Sequence, residues 1–416
     1  MRIMKTLKRS FKTICLCFGF IFGMALLPTQ PIFAQGNIHY GRLNIKPQFI
    51  TKLEHNNNIF LDAIDEIEDT IFTMQPKIAL DYLDRPGNYF RAGYDLEIAS
   101  YFKKNDNNYQ KHQPYLTFGV KAPAGFFGRF SERFLKTADP YGADNMYGEG
   151  ERTSRSENVL DFTFGYQMMD RYSVEAMFQN FALRYRDFMD QWQDRTENIF
   201  QLGVYMRVTP SGKTSMLAEY RFTDATYDRQ NAATAQDHQL HDFLVGFRFE
   251  PGGKLNGAVK LGYGSKSFDN GLDSFNNSFE DNNTWLIETN VNFQFSEITN
   301  MGFRFIRSIE GSPDNDAASY VDTTIGFDIR HQVKHKTFFK SGLAWTNSDY
   351  RDERPNIPNK YFNLYSIYLG IDYNIQEWLR TGFKYSYDTK TASHSMWYDA
   401  VEYSNNKFIV DINAMF

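Results

Sequence analysis

Charged side chains recur in this chain at positions flanked on both sides by apolar ones, as at Arg207, Glu219 and Arg221. Because the side chains of a β-strand alternate between two faces, this pattern gathers the charges on one face. A dry interior would not tolerate so many charges, whereas the wall of a water-filled lumen could use them to select dissolved solutes. The candidate lining residues are Arg207, Glu219, Arg221, Arg248, Lys260, Arg304, Arg330, Lys340, Asp372, Arg380 and Lys384.

Two interpretations of these charges remain open. The basic residues could form a lining that favours anionic solutes. Alternatively, they could form ion pairs across neighbouring strands, which would leave little net charge on the wall. The acidic partners for such pairs are Glu219, Asp328, Asp372 and Asp411.

Enzymatic chemistry has little support in the sequence. No G-x-S-x-G or H-E-x-x-H motif occurs. His331 and His335 are four residues apart, but they fall at a predicted turn between strands, where that spacing does not place them on one helical face. We therefore assign no catalytic, cofactor-binding or metal-binding residue and expect a protein that is not an enzyme.

The apolar positions that separate the charges mark strands along the whole chain. A typical run is Leu160, Phe162, Phe164, Tyr166 and Met168. We count 18 strands joined by eight short turns and nine longer loops, which is the asymmetry of outer-membrane barrels with periplasmic turns. The count falls to 16 if the weakest strand, around residues 126–135, does not form.

Several segments depart from this regular pattern. In the seventh strand the apolar phase slips between Phe178 and Phe181, which predicts a β-bulge. The loops 54–69 and 136–157 are the candidates for folding into the lumen. Acidic clusters at 62–69 and 269–281 could bind divalent cations that bridge lipopolysaccharide, or they could be solvated loop tips.

The last strand has the strongest alternation. Phe408, Val410, Ile412, Ala414 and Phe416 share one face. A terminal amphipathic strand that ends on Phe resembles the assembly signal of bacterial outer-membrane β-barrels. We therefore interpret Phe416 as the assembly signal read by the barrel assembly machinery.

The first 34 residues are typical of a cleaved signal peptide. Five basic residues precede an apolar run at 13–27, and a segment ending at Ala34 follows. The apolar run is short for a membrane-spanning helix. Both cysteines, Cys15 and Cys17, lie in this segment, so we expect neither disulfides nor thiolate metal sites in residues 35–416.

The composition of the remaining chain favours one fold class. Because five of the 45 basic residues lie in the signal peptide, 40 basic and 50 acidic residues remain, with a formal charge of −10, which argues against nucleic acid as a partner. Aromatic residues make up 17% of the chain, and the mean hydropathy is −0.52. We predict an all-β protein, a single transmembrane antiparallel up-and-down β-barrel over residues 35–416 in the outer membrane. The alternative is a secreted β-sandwich or propeller.

Four features carry a family resemblance, namely Lys46-Pro47, the Asn-rich segment His55-Asn56-Asn57-Asn58-Ile59-Phe60, Tyr220-Arg221-Phe222 and Phe416. In these features the chain resembles the outer-membrane barrels called putative β-barrel porin 2, which occur beside exopolysaccharide biosynthesis and export loci. This resemblance implies an outer-membrane conduit for a secreted polysaccharide, with periplasmic export proteins as partners besides lipid and lipopolysaccharide. The alternatives are a general diffusion porin for small hydrophilic solutes and an adhesive barrel that acts through its loops.

Overall fold

The computed structural model describes residues 38–85, 87–138, 153–186, 191–209, 212–228, 236–269, 279–314, 317–350, 360–392 and 402–416. Nearly all of them lie in nineteen β-strands, with single 3-10 turns at Asn105–Asn107 and Gln191–Gln193. No helix in these ranges is long and apolar enough to cross a membrane. The strands are β1 (Ile38–Tyr40), β2 (Leu43–Asn56), β3 (Asp69–Arg85), β4 (Asn88–Tyr101), β5 (Tyr109–Lys121), β6 (Phe126–Ala138), β7 (Ser154–Met168), β8 (Tyr172–Tyr185), β9 (Arg195–Arg207), β10 (Thr214–Tyr227), β11 (His238–Phe249), β12 (Leu255–Phe268), β13 (Asn282–Ser296), β14 (Thr299–Asp314), β15 (Ala317–Lys334), β16 (Thr337–Tyr350), β17 (Lys360–Asn374), β18 (Leu379–Ala392) and β19 (Tyr403–Met415).

The strands β2 to β19 form a closed antiparallel barrel. Each strand pairs with its neighbours in chain order, and β19 pairs with β2 from Lys407 opposite Asn56 to Met415 opposite Gln48. The predicted fold class and the count of eighteen strands are therefore confirmed. The doubtful strand around residues 126–135 forms as β6 and pairs with both neighbours.

A nineteenth strand, β1, was not predicted. The chain reverses at Gly41, whose φ of +62° suits a residue without a side chain, and Ile38 pairs with Ile45 of β2. The backbone N–H of Phe416 donates to the carbonyl of Pro47 over 2.9 Å, two residues beyond Ile45 along β2. The strand β1 therefore covers the length of the β2 edge that β19 does not reach.

The outer face of the barrel is apolar and open to its surroundings. Leu202, Phe243 and Val245 are 53%, 59% and 61% exposed, whereas Leu244, which faces inward, is 1% exposed. In water such a surface would be unfavourable over a whole protein, but hydrocarbon solvates it well. The alternation in the sequence thus separates a lipid-facing surface from an inner one.

The predicted β-bulge near Phe181 is wrong. The strand β8 pairs with β7 and with β9 without any shift in register. Phe181, Leu183 and Tyr185 instead lie on the inner face, where Leu183 and Tyr185 are buried and the guanidinium of Arg195 lies 5.7 Å from the Phe181 ring. The apolar residues change face because this end of the strand is covered from inside, not because the backbone slips.

The loop predicted at 136–157 is shorter than expected at both ends. The strand β6 continues to Ala138 and β7 begins at Ser154, with Lys136 opposite Ser156. Polar residues therefore extend the ladder beyond the apolar belt. Residues 139–152, which include most of the predicted loop, lie outside the described residues.

Glycines form a close backbone contact between β11, β12 and β13. A Cβ atom added to Gly246 would lie 2.0 Å from the carbonyl oxygen of Val259, and one added to Gly262 would lie 2.1 Å from that of Phe243. Gly257 has a φ of +128° and a similar contact with the next strand. Glycines at such positions let a sheet bend sharply. We call this part of the wall, β9 to β13, the glycine corner.

We predict that Gly262→Ala destabilises the barrel, because the new methyl group must displace a backbone carbonyl. The expected loss is about 1–3 kcal/mol in the free energy of unfolding, measured by urea titration of the refolded protein in detergent. Gly326→Ala on β15 is the matched control, since its methyl group would meet only side-chain atoms 3.6–3.8 Å away. Equal stability of the two variants would contradict this account of the corner.

Candidate functional site in the barrel interior

The register places all eleven candidate lining residues on the inner face of the barrel. Cross-strand partners share a face, so the face can be followed around the ring from one ladder to the next. Arg304 is opposite Gly326, for example, and Lys340 is opposite Arg330. Their role in transport stays a prediction, but their surroundings divide them into three groups.

The first group lies in the glycine corner and is held in a buried ion-pair network. The Lys260 ammonium donates to Glu219 over 2.6 Å and to Glu288 over 3.4 Å. Arg221 binds Asp242 over 2.9 Å and also binds Glu288. Glu288 lies three strands from Arg221, so these side chains meet only because the wall between them curves sharply.

The network continues towards the short turns. The Tyr205 hydroxyl donates to Glu219 over 2.8 Å, and the Arg248 guanidinium lies 3.8 Å from the centre of the Tyr205 ring. Arg248 also reaches Glu175 over 2.9 Å, from β11 to β8. Tyr205 therefore links the ion pairs of Glu219 to the ion pair of Arg248 and Glu175.

Burial explains why these charges are paired. Glu219 is 6% exposed and Asp242 is 3% exposed. An isolated carboxylate at such a site would be strongly disfavoured, whereas a hydrogen-bonded cation offsets much of the cost of desolvation. The network thus fills one side of the lumen and leaves it close to neutral.

Three further basic candidates have carboxylate partners nearer the short turns. Arg207 lies 3.3 Å from Glu250. Lys340 binds Asp372, and Arg380 lies 3.6 Å from the same carboxylate. Of the four acidic partners expected from the sequence, Glu219 and Asp372 form ion pairs, whereas Asp328 and Asp411 form none with the described residues.

The third group has no carboxylate within 4 Å among the described residues. It consists of Arg304, Arg330 and Lys384, on β14, β15 and β18. The Arg330 guanidinium lies 4.0 Å from the centre of the Phe338 ring, and the Lys384 ammonium lies 4.8 Å from that of Tyr368. These cations keep their charge in the lumen, since a ring does not neutralise it.

Several inward charges were not predicted from the sequence. Glu175 and Asp242 belong to the corner network, but their partners lie on strands that are not all adjacent. Arg129 and Arg133 on β6 also face inward, opposite Gly119 and Tyr115. The spacing Arg129, Ser131, Arg133 could have revealed them, but the weak apolar face of β6 obscured the alternation.

The predicted inward-folding loop 54–69 packs on the inner wall at the mouth opposite the short turns. Ile59 and Phe60 are buried against Ile71, Ala99 and Tyr101. A wall of apolar side chains at this end of β3 and β4 therefore holds the loop. The Asn-rich segment within this loop supplies the anchor.

Asn58 is that anchor, because its side chain is fully buried and bonded on both sides. Its amide nitrogen donates to the carbonyls of Asp62 and Ser404 over 2.8 and 3.2 Å, and its amide oxygen accepts from the Asp62 N–H over 3.0 Å. The loop is thereby tied both to itself and to β19. The Asn-rich segment is thus a structural element of the mouth.

Two carboxylates of the acidic cluster at 62–69 accept hydrogen bonds from backbone N–H groups. The N–H groups of Ile64 and Asp65 donate to the Asp62 carboxylate over 2.8 and 3.0 Å and lower the pKa of Asp62. The Asp69 carboxylate accepts from the N–H groups of Lys103 and Lys104. Among the described residues, no three His, Cys, Asp or Glu side chains lie close enough to hold a metal ion.

A closed barrel with an apolar exterior and a charged interior is a porin-like barrel of the outer membrane. The chain matches the family described as Putative beta-barrel porin 2 over residues 30–416, and it belongs to that family. No curated protein matches the chain.

Among solved structures, the siderophore receptor PirA from Pseudomonas aeruginosa is 8% identical, with a TM-score of 0.45 over 91% of this chain and 81% of that one. Outer-membrane expressed OmpT of Vibrio cholerae is 14% identical, with a TM-score of 0.35 over 91% of this chain and 100% of that one. A bacterial polysaccharide outer membrane secretin is 8% identical, with a TM-score of 0.35 over 89% and 98%. At these identities the similarity concerns the fold.

We predict that Lys260→Met lowers the free energy of unfolding by about 3 kcal/mol, because it leaves buried Glu219 without its cation. Lys384→Met is the matched control and should change stability by less than about 0.5 kcal/mol, since no ion pair is lost. Urea titration in detergent measures both.

The double variant Lys260→Met, Glu219→Gln should recover part of the loss, because the uncompensated charge is removed together with its partner. A double variant no more stable than Lys260→Met would show that the ion pair is not what stabilises this corner.

Proposed function

We propose that this barrel is the outer-membrane conduit through which a secreted polysaccharide leaves the cell. The observation that supports the proposal is a set of aromatic rings that lie across glycines on the inner wall. A Cβ atom added to any of these glycines would lie 2.2–2.3 Å from a ring atom of the neighbouring strand. The pairs are Tyr89 with Gly119, Tyr115 with Gly93, Phe127 with Gly165 and Tyr368 with Gly342.

Such rings suit the passage of a sugar polymer. Each pair lies in direct cross-strand register, so the ring takes the space that a side chain on the partner would fill. The packing holds the ring in place, and less conformational entropy is lost when a sugar stacks on it. Transport requires contacts that are favourable enough for entry and weak enough for exit, and stacking on single rings meets both conditions.

The polar loops and turns would serve the partners of such a conduit. We propose that periplasmic export proteins meet the eight short turns, that lipopolysaccharide surrounds the opposite rim, and that Phe416 is recognised during barrel assembly. The Phe416 ring stacks on Trp378 with 5.7 Å between ring centres, and it remains partly exposed. A recognition element could use that exposed surface before the barrel closes.

The second candidate is a general diffusion porin for small hydrophilic solutes. The charged lumen and the unpaired cations of β14, β15 and β18 favour it, because a small-solute porin needs only a hydrated passage with a suitable field. The two candidates differ in whether the aromatic rings of the wall are needed for function.

We predict that deletion of the gene abolishes surface polysaccharide while polymer accumulates in the periplasm, because synthesis continues without an exit. Staining of surface polymer and quantification of periplasmic sugar measure the two quantities. A plasmid copy of the wild-type barrel should restore export.

The alternatives give different results in the same strains. Normal surface polymer with slower uptake of small solutes would favour the diffusion porin and contradict the export role. Normal polymer and uptake with loss of adhesion, together with a refolded barrel that does not conduct in planar bilayers, would favour an adhesive barrel.

A further inference from the structure

Two arginines on β6 face the lumen without a carboxylate partner in the part of the chain that the structure describes. Arg129 and Arg133 lie on the inner face on either side of Ser131, and both are exposed. Neither forms an ion pair with the described residues. They differ in this from the arginines of the glycine corner, which are neutralised by buried carboxylates.

Two inward carboxylates on β3 and β4 are already bonded to cations of these strands and of β2. Asp81 accepts from both Lys46 and Arg91 over 2.6 Å, and Asp95 accepts from Lys77 over 3.1 Å. These acids and bases neutralise one another on β2 to β4. Neither of these two carboxylates is bonded to the β6 arginines.

On the other side of β6, one nearby carboxylate is ion-paired and one is only hydrogen-bonded to a hydroxyl group. Asp161 of β7 is opposite Ser131 and accepts its hydroxyl over 3.2 Å. Glu157 is bonded to Arg155 over 2.7 Å. The guanidinium groups of Arg129 and Arg133 therefore remain available to an anion that enters from the lumen.

Each of these arginines lies next to a tyrosine ring. The Tyr89 ring lies across Gly119, and Gly119 is directly opposite Arg129. Tyr115 is directly opposite Arg133, and its ring lies across Gly93 on the other side. The wall thus repeats one unit, a ring on a glycine beside an unpaired arginine, after four residues, or about 13 Å along the strand.

We propose that this surface on β4 to β6, named here the arginine–tyrosine track, binds acidic sugar units of the transported polymer. A guanidinium matches a carboxylate with two parallel hydrogen bonds, and a ring beside it stacks on the sugar that carries the carboxylate. A repeated unit on the wall suits a repeated unit in the ligand. The proposal rests on the proposed function and specifies it, because it names an acidic rather than a neutral polysaccharide.

The rest of the wall explains why the track lies here. In the glycine corner, ion pairs neutralise the cations to which an anion would otherwise bind. Arg304, Arg330 and Lys384 are single cations on separate strands, without the arginine-and-tyrosine repeat. Two adjacent units bind one chain together, so a weak contact at each is sufficient for measurable affinity.

The test is block of single-channel current by oligogalacturonate, with a neutral dextran oligosaccharide of equal length as the comparison. We expect oligogalacturonate to block the wild-type barrel at lower concentration than dextran. The variant Arg129→Gln, Arg133→Gln should raise its blocking concentration at least tenfold and leave dextran block unchanged. Both positions are exposed and unpaired, so the variant should fold, and its unfolding midpoint in urea checks this.

The variant Lys384→Gln, Arg330→Gln is the matched control, because it removes two unpaired lumenal cations from the other side of the barrel. It should change the blocking concentration less than twofold. An equal effect in both double variants would show a general field effect and overturn the track, as would block by oligogalacturonate that is no stronger than block by dextran.

The outcome is separable from the export role. Loss of surface polymer on deletion, together with unaltered oligogalacturonate block in Arg129→Gln, Arg133→Gln, would reject the track and keep the conduit. Normal surface polymer after deletion would reject the conduit, whatever the bilayer measurement gives.

Discussion

The closing ladder between β19 and β2 is the constraint on which the rest of the barrel depends. Hydrocarbon offers no partner to a free N–H or carbonyl group, so a sheet in a bilayer cannot keep an open edge. The ladder joins residues about 350 positions apart, such as Lys407 and Asn56. It also fixes the face of every side chain, because a slip of one residue would turn Val410 to the lumen and Asp411 to the lipid.

Closure creates a second problem, which is how to keep many inward charges solvated or paired. The glycine corner solves it by pairing. Gly246 and Gly262 remove side chains where backbones meet, the wall bends, and Arg221 reaches Glu288 across two intervening strands. Buried pairs of this kind contribute little net stability compared with apolar packing, but loss of one member is costly. The ion pairs of the glycine corner therefore fix the shape of the lumen more than they stabilise the barrel.

Alternation is a local property, so the strands, their number and the face of most residues could be predicted from the sequence. The alternation around Phe162 and Phe164, for example, predicts directly that these two side chains face outward. The bulge at Phe181 was predicted wrongly, because an apolar side chain indicates only that it avoids water and does not distinguish lipid from a covered inner wall. The bonded partners of Arg248 could not be predicted either, since they depend on curvature and not only on which strands are adjacent.

The distribution of charge in the lumen illustrates this limit further. The chain beyond the signal peptide is predicted to be acidic overall, yet net charge does not set the field inside a narrow passage. That field depends on which charges are neutralised within a few ångströms. It also depends on the low-dielectric wall, which concentrates the field of the charges that are not neutralised. Lys260 and Arg129 are both basic residues on inward positions. They differ because a bend in the wall brings Glu219 and Glu288 to Lys260, whereas the carboxylates near Arg129 are already bonded to other groups. Curvature therefore decides which cations remain free to meet a solute.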